Sequence, residues 1–133
     1  MNINKTRLDK IRKKYNLSLI LLHGSQVDGK IHPKSDVDIA VVKNDDNQTL
    51  KLFEFIKDMS NALKSDRIDV SDLTHGDPLF LYSVAKKSRL ISGLERDYSA
   101  LIKLAYFKYC DYLPFFKKER EFVIERINTY VSV

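Results

Sequence analysis

The sequence predicts an α/β fold, in which a small mixed β-sheet has helices packed on one side and is followed by a C-terminal helical arm. Two observations predict it. Short apolar runs typical of strands alternate with longer segments whose apolar residues recur every three or four positions, as in amphipathic helices. After Gly93 the pattern stays helical to about residue 128. We therefore expect one domain over residues 1–133, with residues 94–133 as its C-terminal helical segment.

The first half of the chain is expected to form a helix, two strands and a second helix. An apolar face predicts the first helix over residues 6–15. Apolar runs predict the two strands, which lie at residues 18–23 and 37–42. The stripe that predicts the second helix consists of Leu52, Ile56, Met59 and Leu63.

The second half is expected to add a third strand, a helix, a short extended piece and the long C-terminal helix. β-prone residues predict the strand at residues 67–73. Asp77 followed by Pro78 is typical of a helix cap and first helical position, and it opens a helix that runs to about residue 87. Pro114 is expected to kink or break the last helix.

A Gly-Ser pair and an Asp-x-Asp pair stand in the first two predicted strands and their connection. Gly24 and Ser25 follow the first strand and open a short helix, whose free backbone N–H groups and dipole suit a phosphate. Asp36 and Asp38 project from one face of the second strand, where their carboxylates can converge on divalent cations such as Mg²⁺. A triphosphate site that faces a metal-binding carboxylate pair indicates nucleotidyl transfer.

A third carboxylate is expected near this pair, because two-metal chemistry needs a further ligand beside the attacking group. Asp69, at the start of the third strand, matches that place, and we prefer it to Asp72. Three residues apart on a strand, these two side chains point to opposite faces, so only one of them can join the metal. The candidate catalytic and metal-binding residues are Asp36, Asp38 and Asp69.

Nucleotide contacts are expected from the Gly-Ser turn and from the loop that follows it. Gly24 and Ser25 would grip the terminal phosphate oxygens. Lys34, on the loop expected to cover the triphosphate, is a further candidate, and an exposed lysine without a role is the alternative for it. The three histidines lack metal-ligand spacing, so zinc is not expected. We expect His23 to be a hydrogen-bonded strand-end residue, with a minor contact to the substrate as the alternative.

The pattern of Gly-Ser, ten residues and Asp-x-Asp resembles the minimal nucleotidyltransferases of the DNA polymerase β superfamily. The specific likeness runs over residues 19–73 and includes Ser35 before the first aspartate. Towards its C-terminus the chain more loosely resembles the MntA-type antitoxins of HEPN/MNT toxin–antitoxin modules. The resemblance implies the polymerase β-like nucleotidyltransferase fold.

The resemblance also implies a Mg-dependent protein adenylyltransferase that uses two Mg²⁺ ions. Such an enzyme takes AMP from ATP and places it on a tyrosine hydroxyl of a cognate HEPN-domain RNase toxin, which neutralises the toxin. Many relatives carry arginine where this chain has Asp28, and an acid there would repel the triphosphate. Two alternatives stay open: a small-molecule adenylyltransferase of the aminoglycoside-modifying type, and an antitoxin that acts by binding alone.

Composition and charge favour a cytoplasmic protein with no membrane or direct nucleic-acid partner. The net charge of +5 comes from basic residues interleaved with acids, which is typical of a solvated surface. The apolar run near the start is too short to span a bilayer, and the N-terminus lacks the apolar segment of a signal peptide. The single cysteine, Cys110, excludes an internal disulfide.

Aromatic residues crowd the predicted C-terminal helix. They exceed what a small sheet is expected to cover, and tyrosine is favoured at interfaces. We therefore expect a partner surface or a homodimer contact here, with ordinary packing against the sheet as the alternative. The residues are Tyr98, Tyr106, Phe107, Tyr109, Tyr112, Phe115, Phe116 and Tyr130.

Overall fold

The computed structural model describes residues 3–24 and 36–131. The helices and strands lie close to their expected positions. In chain order they are α1 (Lys5–Lys14), β1 (Leu17–His23), β2 (Val37–Lys43), α2 (Leu52–Leu63), β3 (Ile68–Asp72), α3 (Pro78–Lys86), β4 (Ser88–Gly93) and α4 (Glu95–Val131). The short helix expected after Gly24 falls outside the described residues.

The four strands form one mixed sheet in the order β3-β2-β1-β4. β1 is antiparallel to both β2 and β4, whereas β2 and β3 are parallel. A parallel pair needs a crossover connection, and α2 supplies it between β2 and β3. The prediction of a small mixed sheet with a long C-terminal helix is confirmed.

Helices cover both faces of the sheet. α1 and α2 pack on one face, around Phe55 and Met59. α3 and the N-terminal part of α4 pack on the other, around Leu21, Ala40 and Leu81. The expectation of helices on one side alone is wrong in this respect. Because β1 and β2 carry apolar side chains on both faces, each face has to be buried.

The buried face of α2 differs from the expected stripe. Met59 and Leu63 are buried as expected, but Phe55 is fully buried, whereas Leu52 is 42% exposed. Phe55 packs edge-to-face on Tyr15 beside α1, with ring centroids 5.2 Å apart. The larger aromatic ring therefore faces the sheet and the smaller Leu52 is left at the rim.

The last helix, α4, runs through Pro114 without a break, so the expected break is wrong. Only Ala105 of this helix is fully buried. Every residue from 117 to 131, here called the distal segment, is exposed. Within the described ranges, no helix combines the length and the apolar character needed to cross a membrane.

The aromatic residues of α4 divide into a packed group and an exposed group. Tyr109 stacks on Tyr82 of α3, with ring centroids 3.8 Å apart, so part of the set is ordinary packing between α3 and α4. Tyr106 and Phe107, by contrast, are 56% and 62% exposed. The structure therefore leaves an aromatic surface on α4 that residues 3–24 and 36–131 do not cover.

Candidate active site

Four residues form a row across one end of the sheet, one from each strand. Asp69 on β3 is the register partner of Asp38 on β2. Asp38 in turn pairs with His23 on β1, and His23 pairs with Ser88 on β4. Neighbouring strands lie about 4.8 Å apart, so this row brings two carboxylates, an imidazole and a hydroxyl together.

The structure brings two of the three expected acids side by side. Asp38 is partly buried, and its neighbour Asp69 is exposed. Asp36 is also exposed and lies immediately before β2. Because side chains alternate along a strand, Asp38 lies on the same face as Ala40, which is the face covered by α3 and α4.

The rejected alternative, Asp72, is held in other contacts. Its carboxylate lies 3.2 Å from Lys43 Nζ. It also accepts hydrogen bonds from the Thr74 hydroxyl at 2.6 Å and from the Thr74 backbone N–H at 2.9 Å. Partial burial, the largest single effect, raises the pKa of the Asp72 carboxyl, but the Thr74 hydrogen bonds and the Lys43 ammonium together outweigh it, so that the pKa is lowered. Asp72 therefore closes the end of β3 rather than facing Asp38.

Gly24 ends β1 directly against the Asp38 carboxylate. Its φ of +80° lies in the left-handed region, which side chains rarely adopt. A Cβ at this position would overlap Asp38 Oδ2 and would lie 3.3 Å from Asp38 Cγ. Glycine is therefore required here for two reasons: its backbone adopts the positive φ of the turn, and it has no side chain that would overlap the Asp38 carboxylate. The other two expected nucleotide contacts, Ser25 and Lys34, fall outside the described residues.

His23 is the residue whose role the sequence did not predict correctly. Its Nε2 is buried and finds no hydrogen-bond partner among the described residues, so the expectation of a hydrogen-bonded strand end is wrong for this atom. Its ring meets Phe80 of α3 edge-on, with centroids 6.0 Å apart. Burial lowers the pKa of His23, and the nearby charges of Asp38 and Asp69 oppose that shift. The imidazole therefore lies between the acids and the ring of Phe80.

Ser88 joins the row to α4. Its hydroxyl shares a hydrogen bond of 2.6 Å with the Tyr98 hydroxyl, which also contacts the Ser88 carbonyl oxygen at 3.1 Å. Sequence reasoning missed this contact, because nothing in the local pattern gives the register of β4 against β1. The base of α4 is therefore fixed to the strand that carries the end of the row.

The acids suit a hard divalent cation, since carboxylate oxygens are the ligands that Mg²⁺ prefers. Across residues 3–24 and 36–131, no three His, Cys, Asp or Glu side chains converge into a complete metal-binding group. Protein sites for Mg²⁺ commonly supply one or two carboxylates and leave the other positions to water and substrate phosphates. Asp38 and Asp69 fit that arrangement, in which a nucleotide completes the coordination.

Comparison with known proteins agrees with this fold. The chain belongs to the polymerase beta nucleotidyltransferase family, whose family model matches residues 6–97. The match covers all four strands and ends where α4 begins. The predicted membership of the DNA polymerase β superfamily is therefore confirmed.

Among individual proteins, the chain is similar to the protein adenylyltransferase MntA of Shewanella oneidensis. The two are 32% identical over 81 residues, which are 61% of this chain and 58% of that protein. The chain thus matches little more than half the length of this curated relative.

Solved structures of toxin–antitoxin complexes have a similar fold. One, crystallised with AMP-PNP, is 26% identical, with a TM-score of 0.69 over 94% of this chain and 98% of that chain. A second contains a tri-AMPylated HEPN toxin of Shewanella oneidensis with its MNT antitoxin. It is 22% identical, with a TM-score of 0.64 over 92% of this chain and 94% of that chain, and it supports the fold alone.

Proposed function

We propose that this chain is an antitoxin that transfers AMP from ATP to a tyrosine hydroxyl of a cognate HEPN-domain RNase toxin and so neutralises it. The observation that carries the proposal is the pairing of Asp38 with Asp69 beside the side-chain-free Gly24, in a nucleotidyltransferase fold. The likeness to an MntA protein adenylyltransferase supports the choice of AMP as the transferred group. The likeness to toxin–antitoxin complexes supports a toxin as the acceptor.

The acids hold the cations in this proposal. Asp36, Asp38 and Asp69 bind two Mg²⁺ ions together with phosphate oxygens of ATP. When bound, Mg²⁺ neutralises phosphate charge and makes the acceptor hydroxyl more acidic. The tyrosine hydroxyl loses its proton to solvent water, and its oxygen bonds to the α-phosphorus. The bond from that phosphorus to the oxygen that bridges it to the β-phosphorus breaks, and pyrophosphate leaves with the electron pair.

The rim of the sheet positions the nucleotide. Gly24 and Ser25 contact the terminal phosphates through backbone N–H groups, and Lys34 adds a positive charge. The imidazole of His23 and the ring of Phe80 exclude water on the side of the acids that faces α3. We also propose that residues 1–133 act as one nucleotidyltransferase domain, with residues 94–133 as its helical arm. A cytoplasmic location stays a prediction.

The test is to incubate the protein with ATP, Mg²⁺ and the HEPN protein encoded beside it, and to weigh the HEPN protein by mass spectrometry. The expected result is the added mass of one or more AMP residues, together with loss of RNase activity. Asp36→Asn is the control, which is expected to form the complex without adding mass.

Two other results would contradict the proposal. A complex that silences the RNase without added mass would leave an antitoxin that acts by binding alone. Transfer of AMP to a small molecule, with neither a complex nor added mass on the HEPN protein, would instead favour a small-molecule adenylyltransferase.

A further inference from the structure

The distal segment of α4 carries a row of large apolar side chains against which no described residue packs. All of its residues, 117 to 131, are exposed, and Tyr130 is 79% exposed. A single helix of this length is marginal in water unless another surface buries its apolar side. The large apolar residues exposed on it are Phe122, Val123, Ile124, Ile127, Tyr130 and Val131.

The apolar residues along the C-terminal half of α4 recur with a heptad spacing. Alternating steps of three and four residues define a seam along one side of the helix, as in a coiled coil. A seam with this period stays in line only when a partner helix winds around it. The seam consists of Leu113, Phe116, Arg120, Val123, Ile127 and Tyr130.

The same seam already has a partner helix nearer the domain. The two preceding heptad positions are Tyr106 and Tyr109. Tyr109 stacks on Tyr82 of α3 and also contacts Phe116, with ring centroids 6.1 Å apart. α3 begins at Pro78, and Asp77 just before it lies near Tyr112, so α3 can cover only the first part of the seam. Beyond Phe116 the seam continues with no helix of the described residues against it.

We propose that the seam from Leu113 to Tyr130 pairs with the same seam of a second copy of this chain, antiparallel and about a two-fold axis. In this register Leu113 lies against Tyr130 of the second copy, and Phe116 lies against Ile127 of the second copy. The two-fold axis repeats each of these layers. A two-fold interface uses the same patch on both copies, which this seam provides.

Charges beside the seam favour this pairing over a parallel one. Glu119 and Arg126 occupy equivalent heptad positions on one flank, seven residues apart. An antiparallel pair places Glu119 of each copy beside Arg126 of the other, which makes two symmetric ion pairs. A parallel pair would instead place them beside Ile124 and Val131 of the second copy, without ion pairing. The observed charges therefore specify direction and register.

Arg120 is the one polar residue in the seam. In the antiparallel register it lies next to Val123 of the second copy, near the two-fold axis. A polar residue at one core position of a coiled coil costs stability and fixes register and oligomeric state. Arg120 thus favours a pair over a larger bundle, because its guanidinium can reach solvent from the edge of a two-helix interface.

The first experiment is sedimentation of the protein alone over a range of concentrations, without nucleotide or toxin. A monomer–dimer equilibrium is expected. Ile127→Glu, which places an acid against Phe116 of the second copy in both symmetric layers, is expected to abolish the dimer. Lys118→Glu puts the same residue on the opposite side of the helix and is expected to keep the dimer. Circular dichroism of both variants checks that the domain stays folded.

The second experiment is a charge swap. Glu119→Arg alone and Arg126→Glu alone each replace two attractive pairs with two repulsive ones, so each is expected to raise the dimer Kd about tenfold. The double variant, E119R with R126E, restores attraction and is expected to return the Kd to near the original value. Because toxin and ATP are absent, these results do not depend on the proposed transfer reaction.

Three outcomes would overturn the proposed pairing. A protein that stays monomeric at every concentration would do so, even if Ile127→Glu weakened binding to the toxin, since the seam would then belong to the toxin. A dimer unaffected by Ile127→Glu would use another surface. A double variant no tighter than the single ones would refute the antiparallel register.

Discussion

Asp38 and Asp69 are direct register partners on parallel strands, so a single inter-strand spacing, about 4.8 Å, separates their Cα atoms. Two carboxylates at this distance repel each other, and a cation bound to both relieves the repulsion. Mg²⁺ is therefore expected to raise the unfolding temperature, by an amount equivalent to about 2.7 kcal/mol at a hundred times its Kd. Asp69→Asn should remove most of that rise, whereas Asp72→Asn should keep it. If the unfolding temperature of the original protein is the same with and without Mg²⁺, no cation binds between these two carboxylates.

Asp38→Asn tests the acid at the centre of the row. The amide keeps the shape of the side chain but loses its charge, so the transfer rate should fall about 100-fold or more while the unfolding temperature changes little. Asp72→Asn is the matched control, because Asp72 is bonded to Lys43 and Thr74 instead of facing Asp38. The control should lose stability and keep transfer. Equal transfer rates in the two variants would show that Asp38 is not a metal ligand.

Gly24→Ala tests the contact between the β1 turn and the acid. The added methyl group overlaps the Asp38 carboxylate, and φ is positive, so we expect a loss of about 1–2 kcal/mol in the free energy of unfolding and a large loss of transfer. Gly76→Ala is the control. A Cβ there would lie 3.1 Å from Leu81 Cγ, far from the row, so stability should fall slightly and transfer should persist. Urea unfolding and the mass assay measure both effects, and normal transfer by Gly24→Ala would argue against a role for this turn.

Asp58 ties α2 to the end of α1 and gives a pH-dependent contribution to stability. It accepts hydrogen bonds from Lys14 Nζ at 2.8 Å and from the Tyr15 hydroxyl at 2.6 Å. The Lys14 bond first, and the Tyr15 bond next, lower the pKa of the Asp58 carboxyl. A lowered pKa stabilises the folded state above the unfolded pKa, about 3.9, and that stabilisation is lost as the pH falls through the folded value.

Asp58→Asn should therefore lower the unfolding temperature at neutral pH. The difference from the original protein should shrink below about pH 4, where the original protein loses the same contribution. Asp66→Asn, at an exposed acid just beyond α2, should give little difference at either pH. Thermal unfolding across the pH range is the measurement, and a difference that stays constant down to the lowest pH would rule out the ionised carboxylate as its source.

Local sequence patterns predicted the helices and strands well, because a helix cap or an apolar run marks where they begin or end. The pair Asp77-Pro78 predicted where α3 begins, and the apolar run of β2 predicted the strand that carries Asp38. The long helix was harder, since Pro114 removes one backbone hydrogen bond but sits on an exposed side where the ring is tolerated. A local rule therefore predicted a break or kink, and the structure has no break.

Relationships between distant segments could not be predicted from local patterns. The partnership of Asp38 with Asp69 depends on the parallel pairing that the α2 crossover permits, and the place of Ser88 depends on the register of β4. The unpartnered Nε2 of His23 depends on Phe80 of α3, which arrives from 57 positions further along the chain. Each of these three relationships depends on how whole helices and strands pack together, so a short stretch of sequence does not reveal it.

Because burial ends at Phe116, the remaining fifteen positions of α4 can change without disturbing the sheet, its acids or the turn at Gly24. Selection can therefore act on the two parts of the molecule separately. If the distal segments of two related proteins in one cell differ in the order of their charged residues, each protein can pair only with its own copies. Both can still keep the same site at the row of the sheet. Exchanging residues 117–131 between two such proteins would transfer the choice of partner and leave the reaction unchanged.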